Sequence, residues 1–163
     1  MLALNGELLN TTSRAADDAP SLFDVRAALE RLRPYLIETP VHWWTGVEIA
    51  GLVGPETRIV AKLELLQRSG SFKLRGVCLN MLALGADSLA RGVTAVSSGN
   101  HAVAVAWAAR EFGSSAKVIM LQSANPARVD MCQRLGGEIL FAADGVSAFE
   151  LAHQIAANEG RTL

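Results

Sequence analysis

The sequence predicts an α/β protein in which parallel sheets are flanked by helices in a three-layer α/β/α stack. Three observations carry that expectation. From residue 59 onward, short apolar runs alternate with helical ones, strand then helix, four times over. Several of the strand runs are β-branched or near-continuously apolar, as expected where both faces of a sheet are covered. Gly, Ser, Asn and Pro punctuate the joints, where turns and helix ends need them. Four strand–helix units in series imply right-handed crossovers between parallel strands.

In chain order, residues 1–20 are rich in Ser, Thr, Asp, Asn and Ala and lack periodicity, which predicts a mobile tail ending at Pro20. Ser21 is a helix N-cap candidate, with Asp24 three positions on as its capping-box partner. Leu22, Val25, Ala28, Leu29 and Leu32 recur at helical spacing, and Pro34 closes that helix. An extended piece is expected over 39–42. A small amphipathic stretch follows, with Val47, Ile49, Ala50 and Leu52, ended by Gly54 and Pro55.

The four predicted strands cover 59–65, 92–97, 116–121 and 138–142. Their helices cover 72–84, 101–112, 126–135 and 146–158. Pro126 suits the first position of the third of these helices, and Gly136-Gly137 stop it. The stretch 85–91 is the best candidate for a domain junction. Residues 161–163 come where a further strand should begin, so the sequence also predicts an incomplete chain with an open sheet edge.

Composition narrows the function classes. With 50% apolar and 19% charged residues, the 163-residue chain can bury a sizeable core and is not a disordered segment. A net charge of −1 without a Lys/Arg cluster speaks against nucleic acid or an anionic membrane as partner. No apolar run approaches the length of a transmembrane helix, and residues 1–10 contain neither Lys nor Arg, so no signal peptide is expected. Cys78 and Cys132 are too few and too distant for a disulfide framework or a zinc site, and read as buried thiols of a soluble, cytoplasmic protein.

Two loops carry candidate chemistry. The first is Ser69-Gly70-Ser71-Phe72-Lys73, between a strand and a helix. Its small residues allow a tight turn and leave N–H groups free at the helix start. Lys73 then lies by the positive end of the helix dipole, where a purely structural lysine gains nothing. An amine that must lose its proton and act as a nucleophile gains from positive potential there. The second loop is Ser97-Ser98-Gly99-Asn100-His101, directly after a strand. Strand, small-residue loop and helix N-terminus together form an anion site suited to a carboxylate or phosphate. Taken singly, the loops also read as a solvated lysine after a turn and as a Ser/Asn-capped loop without a ligand. Neither matches a P-loop or a GxGxxG fingerprint.

Together the two loops are distinctive. Lys62-Leu63-Glu64-Leu65-Leu66-Gln67, Gly70-Ser71-Phe72-Lys73-Leu74-Arg75-Gly76 and Ser97-Ser98-Gly99-Asn100-His101-Ala102 stand in the order and spacing of a known family. The sequence resembles the pyridoxal-phosphate (PLP) dependent serine/threonine dehydratases, of the tryptophan-synthase-β-like fold type II. Weaker agreement runs through Val118-Ile119-Met120, Asn125-Pro126-Ala127-Arg128-Val129 and Gly136-Gly137-Glu138, so the likeness spans 22–163.

The resemblance implies that Lys73 would form the Schiff base with the cofactor, a task that calls for a desolvated amine, and later serve as general base for the α-proton. Phe72 would sit beside the cofactor ring, and Asn100 would hydrogen-bond its 3′-oxygen. Ser97, Ser98, Gly99, Asn100 and His101 would hold the carboxylate of a small amino-acid substrate. Glu64, Gln67 and Arg75 look like framing or ion-pairing residues without chemistry. The resemblance further implies a homodimer in which 21–90 open the large PLP domain and 91–163 make up most of the small one. The family's glycine-rich phosphate loop has no counterpart after Lys73, so the C-terminal half of the large domain is expected to be absent and these residues alone to turn over little. The implied reaction is conversion of a hydroxy-amino acid to a 2-oxo acid and ammonia. Ser98 keeps a second reaction open: dehydratases carry Ala at its position, whereas serine racemases carry a second Ser as acid/base on the opposite face. A non-catalytic binding module is the alternative of another class.

Overall fold

The computed structural model describes residues 19–54 and 56–163. The predicted tail lies almost wholly outside them. The described residues divide into two units, 19–31 and 32–163. In the first, the described residues form helix α1 (Leu22–Leu32), whose last residue belongs to the second unit. Its predicted capping box is formed: the Ser21 N–H donates to Asp24 Oδ2 at 2.8 Å, and the Asp24 N–H donates to Ser21 Oγ at 3.2 Å.

The second unit opens with strand β1 (Val41–Trp44), helix α2 (Val47–Val53) and strand β2 (Ile59–Lys62). Here the structure corrects the sequence reading. β2 does not join the parallel sheet; it pairs antiparallel with β1, Val41 opposite Lys62 and Trp44 opposite Ile59. It also ends at Lys62 rather than 65, because Glu64–Leu66 coil into a 3-10 turn that swings the Glu64 carboxylate inward. Helix α3 (Lys73–Met81) follows, and the expected junction at 85–91 contains a short helix, α4 (Ala86–Arg91).

The parallel sheet consists of β3 (Val93–Val96), β4 (Ala116–Leu121) and β5 (Glu138–Ala142) in that spatial order. Its crossovers are α5 (Asn100–Glu111) and α6 (Pro126–Arg134); α7 (Gly145–Glu159) follows β5. The chain then begins to pair on the free edge of β3. The Thr94 N–H donates to Thr162 O at 2.8 Å and the Thr162 N–H to Gly92 O at 3.1 Å, in parallel register, where the sequence predicts a further strand.

Strand periodicity sorts the core into two faces. Val118 and Met120 of β4 point into one cluster with α3, α5 and α6, whereas Ile119 points into another with Ala148, Ala152 and Ile155 of α7. Helix α5 is buried along Ala102–Ala109, eight consecutive residues, because the sheet covers one side and α3 the other. Five of those eight are alanine, which lets the layers approach closely. Leu74, Val77, Cys78 and Met81 are the buried residues of α3 and belong to the same cluster. Cys78 and Cys132 are both buried and free, and burial pushes each thiol up to about 11.

Gly92 shows how tightly the N-terminal edge of the sheet is built. Its φ is +93°, in the left-handed region, and a Cβ there would stand 2.8 Å from the backbone oxygen of Ser115. Gly92→Ala therefore combines backbone strain of about 1–3 kcal/mol with a clash the strands cannot relieve. We expect a clear fall in urea midpoint; an unchanged midpoint would refute this account of the edge.

Candidate active site

The packing of α3 on α5 decides where the two candidate loops lie. Lys73 is the first residue of α3, and Asn100 is the first of α5. The helices share the Leu74–Val103 core cluster. Across that packing the Lys73 charge, after burial, helps push the imidazole of His101 below its ordinary value. The first turn of α3 thus carries a primary amine within electrostatic reach of a half-buried histidine in the first turn of α5.

The first loop turns at Gly70, whose φ of +74° is the left-handed conformation glycine permits. The Gly70 N–H donates to Gln67 O at 2.6 Å. Ser69 and Ser71 flank it, 0% and 6% exposed, and their hydroxyls have no hydrogen-bond partner among the described residues. Phe72 and Lys73 point outward: Phe72 is 57% exposed, and Lys73 Nζ lies 4.9 Å from the centre of its ring. The desolvated lysine expected from the sequence is therefore exposed among these residues.

In the second loop, hydrogen bonding separates the residues. The Ser97 N–H continues the sheet, donating to Ile119 O at 3.0 Å. Ser97 Oγ accepts from the Gly99 N–H at 3.2 Å. Ser98 Oγ accepts from the Leu121 N–H at 2.9 Å, tying the loop to the end of β4. Gly99 caps α5 without any side-chain bond, so the N–H groups of the first turn, starting at Asn100 and His101, are left as helix-end donors. They lie at the carboxyl end of β3, where open parallel sheets commonly bind ligands.

Behind the first loop lies a polar cluster that the sequence alone did not connect. Arg75 grips Glu64 with a fork of two bonds, Nε to Oε2 at 2.8 Å and Nη2 to Oε1 at 2.7 Å. The Thr39 hydroxyl donates to the same Oε1 at 2.5 Å, and Lys62 Nζ donates to Thr39 O at 2.5 Å. The Arg75 guanidinium, with Thr39, holds the Glu64 carboxyl down at about 2. Gln67, 3% exposed, brackets the backbone of Ile37 by accepting its N–H and donating to its O, both at 2.9 Å. Glu64, Gln67 and Arg75 were visible as framing residues; Thr39 carried no signal, because an isolated Thr in an extended stretch belongs to no pattern.

Comparison with known proteins identifies the fold. The family profile for "Pyridoxal-phosphate dependent enzyme" matches residues 32–163. The chain belongs to that family. A phenylserine dehydratase of Ralstonia pickettii is 46% identical over 142 residues, covering 87% of this chain and 42% of that protein. Among solved structures, maize serine racemase superposes with a TM-score of 0.80 at 32% identity, covering 89% of this chain and 43% of the other. A threonine deaminase from T.th. superposes with a TM-score of 0.74 at 36% identity, covering 88% and 44%. The chain thus spans well under half the length of the curated relatives it matches.

PLP is the family's cofactor, and the residues present fit its aldehyde end and ring. Lys73 offers an accessible primary amine, and Phe72 offers an exposed aromatic face beside it. Asn100 is the first residue of α5. For the phosphate, the glycine-rich cradle has no counterpart after Lys73 in this sequence.

Proposed function

We propose that the protein is a PLP-dependent ammonia lyase that converts a small β-hydroxy-α-amino acid to a 2-oxo acid and ammonia. What supports this reading is the packing of α3 on α5, with Lys73 in the first turn of one and, in the first turn of the other, His101, whose imidazole burial and the Lys73 charge depress. The sequence likeness to a phenylserine dehydratase supports the reaction class.

In this reading Lys73 Nζ would hold the cofactor covalently, Phe72 would pack beside it, and the Asn100 side-chain amide would hydrogen-bond its phenolic oxygen. The first-turn N–H groups of α5 bind the substrate carboxylate, aided by the helix dipole. Bound PLP supplies an electron-withdrawing ring that stabilises negative charge at the substrate Cα. Lys73 Nζ would serve as the base that takes the Cα proton. The β-hydroxyl departs as water, and a water returns to release ammonia, so the net products are the 2-oxo acid and ammonium. The neutral form of His101 that burial and Lys73 favour adds no second cation there.

The remaining parts of this reading rest on the family resemblance. Residues 21–90 open the larger domain and 91–163 make up most of the smaller one. The protein acts as a homodimer, and a cytoplasmic setting agrees with two buried free thiols. Light scattering on the full-length protein tests the dimer.

The function is tested by incubating full-length, PLP-loaded protein with L-threonine, L-serine and phenylserine while following 2-oxo acid and ammonia. Failure to release either from every β-hydroxy amino acid would overturn it. Ser98 favours a second reading, an amino-acid racemase, since the maize serine racemase is among the structural neighbours. Ser98 Oγ accepts from Leu121 but keeps its own proton to donate. If racemisation is real, L-serine yields D-serine beside pyruvate, and Ser98→Ala removes D-serine while sparing pyruvate. Pyruvate alone from the unaltered protein sinks the racemase reading. In either case Ser98→Ala should cost about 1–2 kcal/mol in chemical denaturation, because it strands the Leu121 N–H.

A further inference from the structure

We propose that Glu64, clamped by Arg75 and Thr39, is a positioning residue that sets where the Lys73 amine stands. The inference rests on the reading of Lys73 as the cofactor-holding residue and extends it to residues outside the cleft.

Beyond the Gly70 N–H bond to Gln67 O, little within the turn from 67 to 73 fixes its shape. Gly70 at its centre adopts a positive φ, and the buried hydroxyls on either side, Ser69 and Ser71, bond to nothing among the described residues. Its geometry is therefore imposed from its two ends. At the leading end, Gln67 is pinned to Ile37 by two hydrogen bonds of 2.9 Å. At the trailing end, Arg75, two residues past Lys73, is pinned to Glu64 by its two-bond fork. Glu64 is in turn anchored by Thr39, which is 2% exposed, and so to the same 37–39 segment that holds Gln67.

Both ends of the lysine turn thus refer to one short stretch of backbone. The Glu64 side chain is 15% exposed and the Arg75 side chain 31%, so the pair is well shielded from competing water. A planar guanidinium gripping both carboxylate oxygens fixes direction as well as distance, which a point charge cannot do. Rotation of the first turn of α3 would carry Lys73 Nζ with it. Displacements of about 1 Å at a reacting atom can cost as much as 10²-fold in rate.

The test uses full-length protein stripped of cofactor and then exposed to PLP. The rate of attachment is read from the absorbance of the lysine-linked cofactor, and its orientation from the circular dichroism of that band. Borohydride reduction and peptide mass spectrometry locate the attachment. Arg75→Lys keeps the charge and loses the fork; Thr39→Val keeps the shape and loses one bond to Glu64. We expect Arg75→Lys to slow attachment by about tenfold or more and Thr39→Val by a few-fold. Both should alter the cofactor dichroism while the far-ultraviolet spectrum of the cofactor-free protein is kept. Should Arg75→Lys fail to fold, Thr39→Val decides the matter alone. Attachment at the unaltered rate with unaltered dichroism in a folded Arg75→Lys, or in Thr39→Val where that is the deciding variant, would overturn the inference. Absence of cofactor on Lys73 in the unsubstituted protein would instead overturn the proposed function, so the two failures are distinguishable.

Discussion

Lys73→Ala in the full-length protein is expected to lower 2-oxo acid formation by about 10³-fold or more, because one side chain is asked to do two things. On the proposed function it holds the cofactor covalently and moves the Cα proton. Removing a positioned general base alone typically costs about 10²–10⁴-fold. The loss should come without a folding defect, since Lys73 is exposed and its aliphatic stem fills no core position. Chemical denaturation of the cofactor-free variant should therefore agree with the parent within about 0.5 kcal/mol. Lys73→Arg sharpens the result. Guanidinium keeps the positive charge but stays protonated, so it can neither attack an aldehyde nor accept a proton. If charge alone mattered, Lys73→Arg would stay active. We expect it to be as inactive as Lys73→Ala, with no cofactor trapped at position 73 after borohydride treatment. Near-normal turnover in either variant would end the assignment.

What the sequence revealed, and what it hid, follows from the range of the interactions. β4 and β5 lie where the apolar runs predict, because the two strands pair along their length and local breakers such as Gly136-Gly137 mark their limits. The helix starts at Pro126 and at Ser21 were legible for the same reason: capping is decided within four residues. β2 was legible as extended chain but not as an antiparallel partner of β1. Pairing direction depends on how the 45–58 connection returns, and an apolar run such as Ile59-Val60-Ala61 is compatible with either sheet type. The cleft shows the same division. The Lys73 turn and the Asn100 helix start were evident as separate motifs, whereas their approach depends on α3 packing across α5. The Thr39–Glu64–Arg75 clamp spans 36 residues of sequence, and no periodicity joins its members.

The packing that brings the motifs together can be loosened directly, and Leu74→Ala does so with the largest stability effect we expect. Leu74 follows Lys73 in α3 and is 0% exposed, within the cluster that contains Val77, Cys78, Val103 and Trp107. Truncation removes transfer free energy and leaves a cavity that close-packed neighbours fill only in part, typically about 2–5 kcal/mol for Leu→Ala. Leu65→Ala is the matched control: the same change at a side chain 68% exposed should stay within about 0.5 kcal/mol. Urea denaturation of both variants in the full-length protein measures the difference. The consequence reaches the cleft, because the face that Leu74 buries is the one that seats α3 on α5. With that contact weakened, Lys73 and the Asn100–His101 turn lose their fixed separation, and PLP affinity should fall in Leu74→Ala but not in Leu65→Ala. Equal urea midpoints for the two variants would show that the α3–α5 contact does not hold this fold together. A destabilised Leu74→Ala that binds PLP as tightly as the parent would show instead that the cleft is assembled by something other than this packing.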